Sequence, residues 1–458
     1  ALSYIRIKNV LSCARDLHNE ACALSEADKK KLARQYKSDN GRMIVLGYGV
    51  EKMLISLSYS CMNSNSLFAL SRYISRNRVY RGDGMKLKKQ AVIITLPLGE
   101  NYGGILQAYS LQKTIHDLGV DAVTTSIPKQ GRFKLFVKRI AKTILHIIKP
   151  NISNMTSKDV LIKTEKTRQF VNKYIKTVNE KRLYDNGFDA YVVGSDQVWR
   201  AKYVKVADYL LGFAVDRMNS VKISYAASFG KDDLSEYSDS DVKESSRLAK
   251  NFDSVSVREE SGVKLVEECW GIKALRHVDP TMLIPKKHYN SLIKNNQKNV
   301  CKPEGELFVY ILDESSEKEK VVEKVSRLLG LKSFAFMPPG TSSKRIFRND
   351  PEKYKLPLVE QWLCSFRDAN FIITDSFHGC VFSIIYNKPF IAIGNKSRGL
   401  SRFTSLLKLF GLEGRLVDCL SEVNEDVVNM NIDWRKVNAI LKDEQRRSRK
   451  FLKENLNV

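Results

Sequence analysis

From Ala91 onward, short apolar runs alternate with stretches in which apolar residues recur every three to four positions. This alternation marks parallel strands buried on both faces and linked by amphipathic helices. A first series predicts strands at 91–96, 122–126, 189–194, 221–226, 253–257 and 275–278, with helices at 105–118, 157–177, 241–250 and 260–269. A second series follows the proline-flanked stretch Asp279 to Pro285, with strands at 307–312, 332–336, 370–374, 389–393 and 415–418 and helices at 316–329, 358–367, 379–386 and 401–410. The expected fold class is α/β: two Rossmann-like doubly wound domains, over 85–290 and 300–430, facing a cleft. A charged helix is expected within 431–458, from Trp434 to Leu452. Residues 1–84 lack the alternation; they hold Lys29-Lys30-Lys31, an apolar patch Met43 to Tyr48 and a Ser/Asn-rich stretch Tyr59 to Ser66. They read as an N-terminal appendage, either helical or translated upstream sequence.

Composition narrows the class. The 458 residues suit two domains of ordinary size plus an appendage. Hydrophobic content of 43% with 28% charged residues is globular. The eight cysteines, at 13, 22, 61, 269, 301, 364, 380 and 419, form neither a C-x-x-C pair nor a Cys/His cluster. Neither a zinc site nor a disulfide framework is expected, and a cytoplasmic location is. There is no run of about twenty apolar residues and no charged-then-apolar leader, so neither a membrane span nor secretion is expected.

A net charge of +25 admits nucleic acid, anionic lipid or an anionic substrate as partner. Because aromatic RNP motifs, zinc-finger spacing and basic-zipper heptads are all missing, no nucleic-acid partner is expected. Gly131 to Pro150 is basic and amphipathic: Phe133, Phe136, Val137, Ile140, Ile144 and Ile147 fall at helical spacing, with Lys134, Lys138, Lys142 and His146 on another face. It predicts either a surface helix packed on its own domain or a peripheral contact with the anionic inner face of a membrane.

The candidate chemistry sits where strands hand over to helices. Ligands in open parallel sheets bind beyond the carboxyl ends of the strands, and the first N–H groups of the next helix favour an anion. Ser376-Phe377-His378-Gly379 follows the run Phe371 to Thr374, and His378 is one of only six histidines. After the first strand, Asn101 offers donor and acceptor while Gly103 and Gly104 admit a ligand to the backbone; a plain capped βα turn reads equally well. The dinucleotide G-x-G-x-x-G spacing is absent. In Gly194-Ser195-Asp196-Gln197-Val198-Trp199, Asp196 either bonds sugar hydroxyls or caps a helix, and Trp199 either stacks on a sugar or fills the core. Arg258 either forks a carboxylate or phosphate or pairs locally with Glu259. Asp279 before Pro280 is either catalytic or a turn-initiating residue. Lys396, Arg398 and Arg402 bring cations to the same edge or belong to a solvated loop.

Taken in order, Asn101-Tyr102-Gly103-Gly104 with Leu106-Gln107-Ala108-Tyr109, Gly194 to Trp199, Tyr225 to Gly230, Ser256-Val257-Arg258-Glu259, Val278-Asp279-Pro280-Thr281 and Asp375 to Gly379 resemble the polysaccharide pyruvyl transferase family, from about Met85 to Arg415. The resemblance implies a fold like that of two-Rossmann (GT-B-like) glycosyltransferases and transfer of an enolpyruvyl unit from phosphoenolpyruvate to a sugar as a ketal. Arg258 would bind the donor's anionic groups, with His378 beside it from the opposing domain. Many members carry Arg-Leu-His where this chain has Ser376-Phe377-His378, so Arg398 or Arg402 would stand in at the donor site, with Ser376, Asn101, Gly103, Gly104, Gln197 and Trp199 completing the substrate contacts. His378 would be the general acid, and Asp196 or Asp279 would take a hydroxyl proton. Neither metal nor cofactor is expected beyond the donor substrate. The acceptor would be a glycan or lipid-linked oligosaccharide of a cell-surface or exopolysaccharide precursor. A nucleotide-sugar glycosyltransferase and a non-catalytic glycan-binding member remain open.

Overall fold

The computed structural model describes residues 44–48, 51–55, 88–127, 155–184, 187–339, 344–395 and 399–457. Most of the N-terminal appendage, the basic segment Gly131 to Pro150, Lys396 and Arg398 lie outside them. Residues 1–88 and 89–458 are separate compact units. In the first, β1 (Ile44–Tyr48) pairs antiparallel with β2 (Glu51–Ile55).

In the second unit, β3 (Gln90–Ile94), β4 (Asp121–Thr125), β5 (Ala190–Val193) and β6 (Val221–Ser224) form a parallel sheet in the order β4-β3-β5-β6. The bridges Ile223–Ser254 and Ala227–Val257 carry it on to the parallel pair β7 (Ser256–Val257) and β8 (Leu275–Arg276). A second parallel sheet runs β10-β9-β11-β12-β13, from β9 (Leu307–Tyr310), β10 (Ser333–Phe334), β11 (Phe371–Thr374), β12 (Phe390–Ile393) and β13 (Leu416–Val417). The inner strands β5, β11 and β12 are buried at every residue, which is why they read as unbroken apolar runs. In both sheets the first strand lies inside the second and third. Connections after the first and third strands therefore diverge, leaving a crevice at the carboxyl edge.

Helix α1 (Tyr102–Asp117) follows β3 and begins three residues before its predicted start, because Oδ1 of Asn101 accepts from the Gly104 N–H at 3.1 Å. Helix α2 (Lys286–Asn295) lies in a stretch for which no element is predicted; Tyr289, Leu292 and Ile293 form its buried stripe. Helices α3 (Phe377–Tyr386) and α4 (Ser401–Phe410) belong to the second lobe.

The C-terminal helix α5 (Trp434–Asn455) returns to the first lobe. Its Glu444 meets Arg276 at 3.0 Å, Ser448 Oγ lies 3.0 Å from Nδ1 of His277, and Gln445 donates to the Met282 carbonyl at 2.6 Å. Burial, with Arg447 and Arg276 nearby, pushes His277 down to about 4, consistent with a neutral packing residue against Phe451. One apolar cluster then runs through both lobes, from Ile93 and Tyr225 to Trp362, Phe382 and Phe451. Among the described residues no helix is long and apolar enough to cross a membrane.

Candidate active site between the lobes

The site is built around Arg258, which leaves the end of β7. Its buried guanidinium donates from Nη1 to Oδ2 of Asp279 at 2.7 Å, with Asp196 at 3.5 Å from Nη2 and Glu259 at 4.0 Å from Nε. Burial works against its charge, but Asp279, Asp196 and Glu259 outweigh it and hold the arginine above its ordinary value. The other oxygen of Asp279 accepts from the N–H and hydroxyl of Thr281, at 3.0 and 2.7 Å. The turn-initiating reading of Asp279 and the charged one therefore both hold. Burial alone would raise its carboxyl; His378, Arg258 and the Thr281 N–H more than offset that and keep it ionised. Asp196 sits in the left-handed region at φ 68°, its Oδ2 3.5 Å from Nδ2 of Asn101. Glu259, not singled out from sequence, is wholly buried, accepting at one oxygen from Ser228 Oγ (2.6 Å), Phe229 N (3.1 Å) and Gly230 N (3.3 Å).

The second lobe contributes His378, the second residue of α3. Its Nε2 lies 3.5 Å from Oδ2 of Asp279. The ring rests on Gly103, where a Cβ would overlap the imidazole Nδ1 and Cγ. Gly103 thus serves a close approach across the lobes. Gly103→Ala is expected to displace the imidazole and cut turnover by about tenfold or more with the fold intact; unchanged kcat would show that ring placement is not critical. Gly379 does the same within the lobe, since a Cβ there would strike Thr374 Oγ1, which also accepts from the Ser376 N–H at 3.0 Å. Next to it, buried Asp375 accepts from the backbone of Leu312 (2.6 Å) and Asp313 (3.1 Å) and from Lys318 Nζ (2.7 Å), pinning the loop after β9. Phe377 completes the cluster: Arg258 lies 4.2 Å and Arg402 5.7 Å from its ring centroid. Only the strand-end position of Asp375 and Phe377 hints at these roles in the sequence.

Other candidates fall elsewhere. Trp199 is fully buried among Phe229 (5.4 Å) and Trp270 (5.0 Å), with its indole N–H given to the Tyr209 carbonyl, so its sugar-stacking reading is corrected to a core one. A large, rigid indole is consumed by the packing of the first lobe. Trp199→Ala should cost about 3–5 kcal/mol in chemical denaturation, whereas Trp199→Phe should keep turnover. Gln197 accepts from Arg200 at 3.1 Å and fills the space above Gly230, a supporting position. Gly104 leaves room for the Asn101 cap. Ser376 is buried at the start of α3 without a side-chain cap bond. Among the described residues no group of three or more His, Cys, Asp or Glu is placed to hold a metal ion.

Residues 101–397 match the family described as polysaccharide pyruvyl transferase. No curated protein matches the chain. Solved structures similar to it include a Thermobaculum terrenum O-GlcNAc transferase mutant (11% identity, TM-score 0.34, 80% of this chain and 64% of that one). The chain thus spans under two thirds of that protein's length. It is also similar to the Methanocaldococcus jannaschii UDP-GlcNAc 2-epimerase in complex with UDP-GlcNAc and UDP (13%, TM-score 0.40, 76% and 93%). A third is the Neisseria meningitidis UDP-GlcNAc 2-epimerase bound to UDP-GlcNAc (11%, TM-score 0.41, 81% and 99%).

Proposed function

Because the chain belongs to the polysaccharide pyruvyl transferase family, we propose that it transfers a pyruvyl unit from phosphoenolpyruvate to a sugar of a cell-surface or exopolysaccharide precursor, as a ketal. The observation that carries this reading is a set of buried donors from two lobes, Nε and Nη2 of Arg258 and Nε2 of His378, that face carboxylates at 3.5 to 4.0 Å but make no close hydrogen bond among the described residues. Buried donors without partners are costly, and an anionic substrate would satisfy them.

The chemistry follows from the positions. His378 delivers a proton to the methylene carbon of the donor, leaving an oxocarbenium-like centre at C2. A sugar hydroxyl adds there and gives its proton to a carboxylate; Asp196, beside Asn101, suits this better than Asp279, whose oxygens are committed to Arg258 and Thr281. The C2–O bond to phosphate then breaks, phosphate departs with the proton the carboxylate has held, and a second hydroxyl closes the ketal as its proton returns to the imidazole. Arg258 holds one anionic group of the donor throughout.

The nucleotide-sugar alternative gains nothing from the described residues at the strand ends of the second lobe. Where its first and third strands diverge, Asp313 and Asp375 stand together, with Lys318 and Asn395 already bonded to them, and a diphosphate there would meet two carboxylates. The deciding experiment incubates purified protein with phosphoenolpyruvate and candidate glycans, following phosphate release and the mass of the glycan. Stoichiometric phosphate and a pyruvyl mass gain are expected; thermal stabilisation by nucleotide sugars but not by phosphoenolpyruvate would overturn the proposal.

A further inference from the structure

Large apolar side chains left on a surface are usually scattered singly, and a group of them marks a contact. Eight are exposed among the described residues, and five of these stand alone on their element or loop. The other three sit on two short helices that touch. Leu161 (46% exposed) and Ile162 (42%) lie on the helix Ser157–Lys163, which follows the first-lobe strand β4, and Ile346 (49%) lies on Lys344–Asn349, which follows the second-lobe strand β10. Arg348 joins the two through its 2.8 Å pair with Asp159. With about 3.6 residues per turn, the exposed side of the first helix reads Leu161, Lys158, Ile162, a lysine between two aliphatics, while Asp159 is buried. On the second helix Arg345 is exposed next to Ile346.

The surrounding charge is positive. Residues 157–168 and 344–355 hold nine Lys and Arg against four Asp and Glu. Those acids are engaged: Asp159 by Arg348, Glu165 and Glu352 by Lys355, and Asp350 by the Lys353 N–H at 3.2 Å. Lys158, Lys166, Arg345 and Lys353 are exposed. Lysine is depleted from the cores of protein–protein interfaces. Aliphatics interleaved with cations instead suit an anionic lipid surface, where the first enter the acyl boundary and the second lie among the headgroups.

The same region borders the site. Thr167 Oγ1 donates to the Gly99 carbonyl at 2.7 Å and Lys163 pairs with Glu100 at 2.6 Å, which holds the loop ending in Asn101, 3.5 Å from Asp196.

We infer that the outer faces of these two helices dock the protein on an anionic phospholipid bilayer, with Leu161, Ile162 and Ile346 in the headgroup boundary and Lys158, Lys166, Arg345 and Lys353 on the lipid charge. An acceptor carried on a lipid would then meet the loop of Asn101 at the membrane surface. The docking goes beyond the pyruvyl-transfer reading and does not rest on it, since it needs no turnover.

The test is flotation of the full chain with vesicles of phosphatidylcholine alone and of phosphatidylcholine containing about 30% phosphatidylglycerol, the charge being the variable. Wild type is expected to float with the anionic vesicles, and to do so several-fold less when salt is raised from about 0.1 to 0.5 M. Replacing Leu161, Ile162 and Ile346 together with serine should weaken binding by about tenfold or more, as should the pair Lys158→Glu and Arg345→Glu. Met218→Ser, which removes an exposed apolar side chain elsewhere, should bind as wild type. A wild type that does not float, equal binding to neutral vesicles, or serine and glutamate variants that float as wild type would each overturn the inference. Circular dichroism melts verify the fold, and if the serine variant does not fold the glutamate pair decides. A wild-type dimer in light scattering that the serine variant abolishes would give the face to a second copy and overturn the inference as well. Failure of phosphoenolpyruvate turnover leaves the flotation result standing, so the two readings fail separately.

Discussion

Replacing His378 with alanine is expected to lower kcat for phosphate release by about a hundredfold or more, the usual contribution of a positioned general acid. The other histidines within the described residues are engaged elsewhere: His277 packs under α5, His288 bonds Tyr109 on the far side of α1, and His116 lies near Asp121. None can replace the lost ring. The fold should survive, because Asp279 keeps its bonds to Arg258 and Thr281 when the imidazole is removed. Single-turnover phosphate release, read beside the circular dichroism melt, separates the two effects. Near-normal turnover would take His378 out of the acid role, whereas a collapsed melt would mean that it holds the lobes together. On the proposed reading, in which Arg258 and not His378 supplies most of the anion binding, the donor KM should move less than kcat.

Arg258→Met is expected to cost about 3–5 kcal/mol of stability, as is typical when one partner of a buried ion pair is removed. Asp279 and Asp196 would be left in the interior with only part of their compensation. The loss should depend on pH in a definite direction. In the native protein Asp279 is depressed, so it contributes stability above the unfolded-state carboxylate value of about 4 that is lost as pH falls through its lower folded value. Without Arg258, only His378 and the Thr281 N–H oppose burial, so the same carboxyl rises. The folded variant then binds more protons than the folded wild type, so its deficit is greatest near neutrality and shrinks as pH falls. Urea denaturation at a series of pH values measures this. A deficit constant with pH would assign the arginine's role to packing against Phe377 instead of to charge.

Much of the architecture is legible in the order of residues alone. The runs at 91–96, 189–194 and 370–374 become β3, β5 and β11 because an inner parallel strand must be apolar on both faces, and that requirement is written locally. The helix at 401–410 matches α4 to the residue, since its buried stripe and Gly411 mark its face and its end. By contrast, α2 is obscured by the prolines around it, although Pro285 stands directly before it and leaves its buried stripe intact. The predicted helix at 157–177 breaks at Thr164. For the site, strand ends single out Arg258, Asp279 and His378, which the fold brings into one cluster. They also point to Trp199, where the same position serves the core.

What the chain determines by itself is the order of strands and helices, the polar residues held at the strand ends, and the family those residues identify. Which of those residues meet is decided only in three dimensions. His378 lies on Gly103, Arg402 shares a ring with Arg258, and α5 closes over His277, all through contacts between segments distant in sequence. Periodicity records which face of an element is buried, but the identity of the partner on that face follows from how the two sheets pack, and no local pattern encodes it.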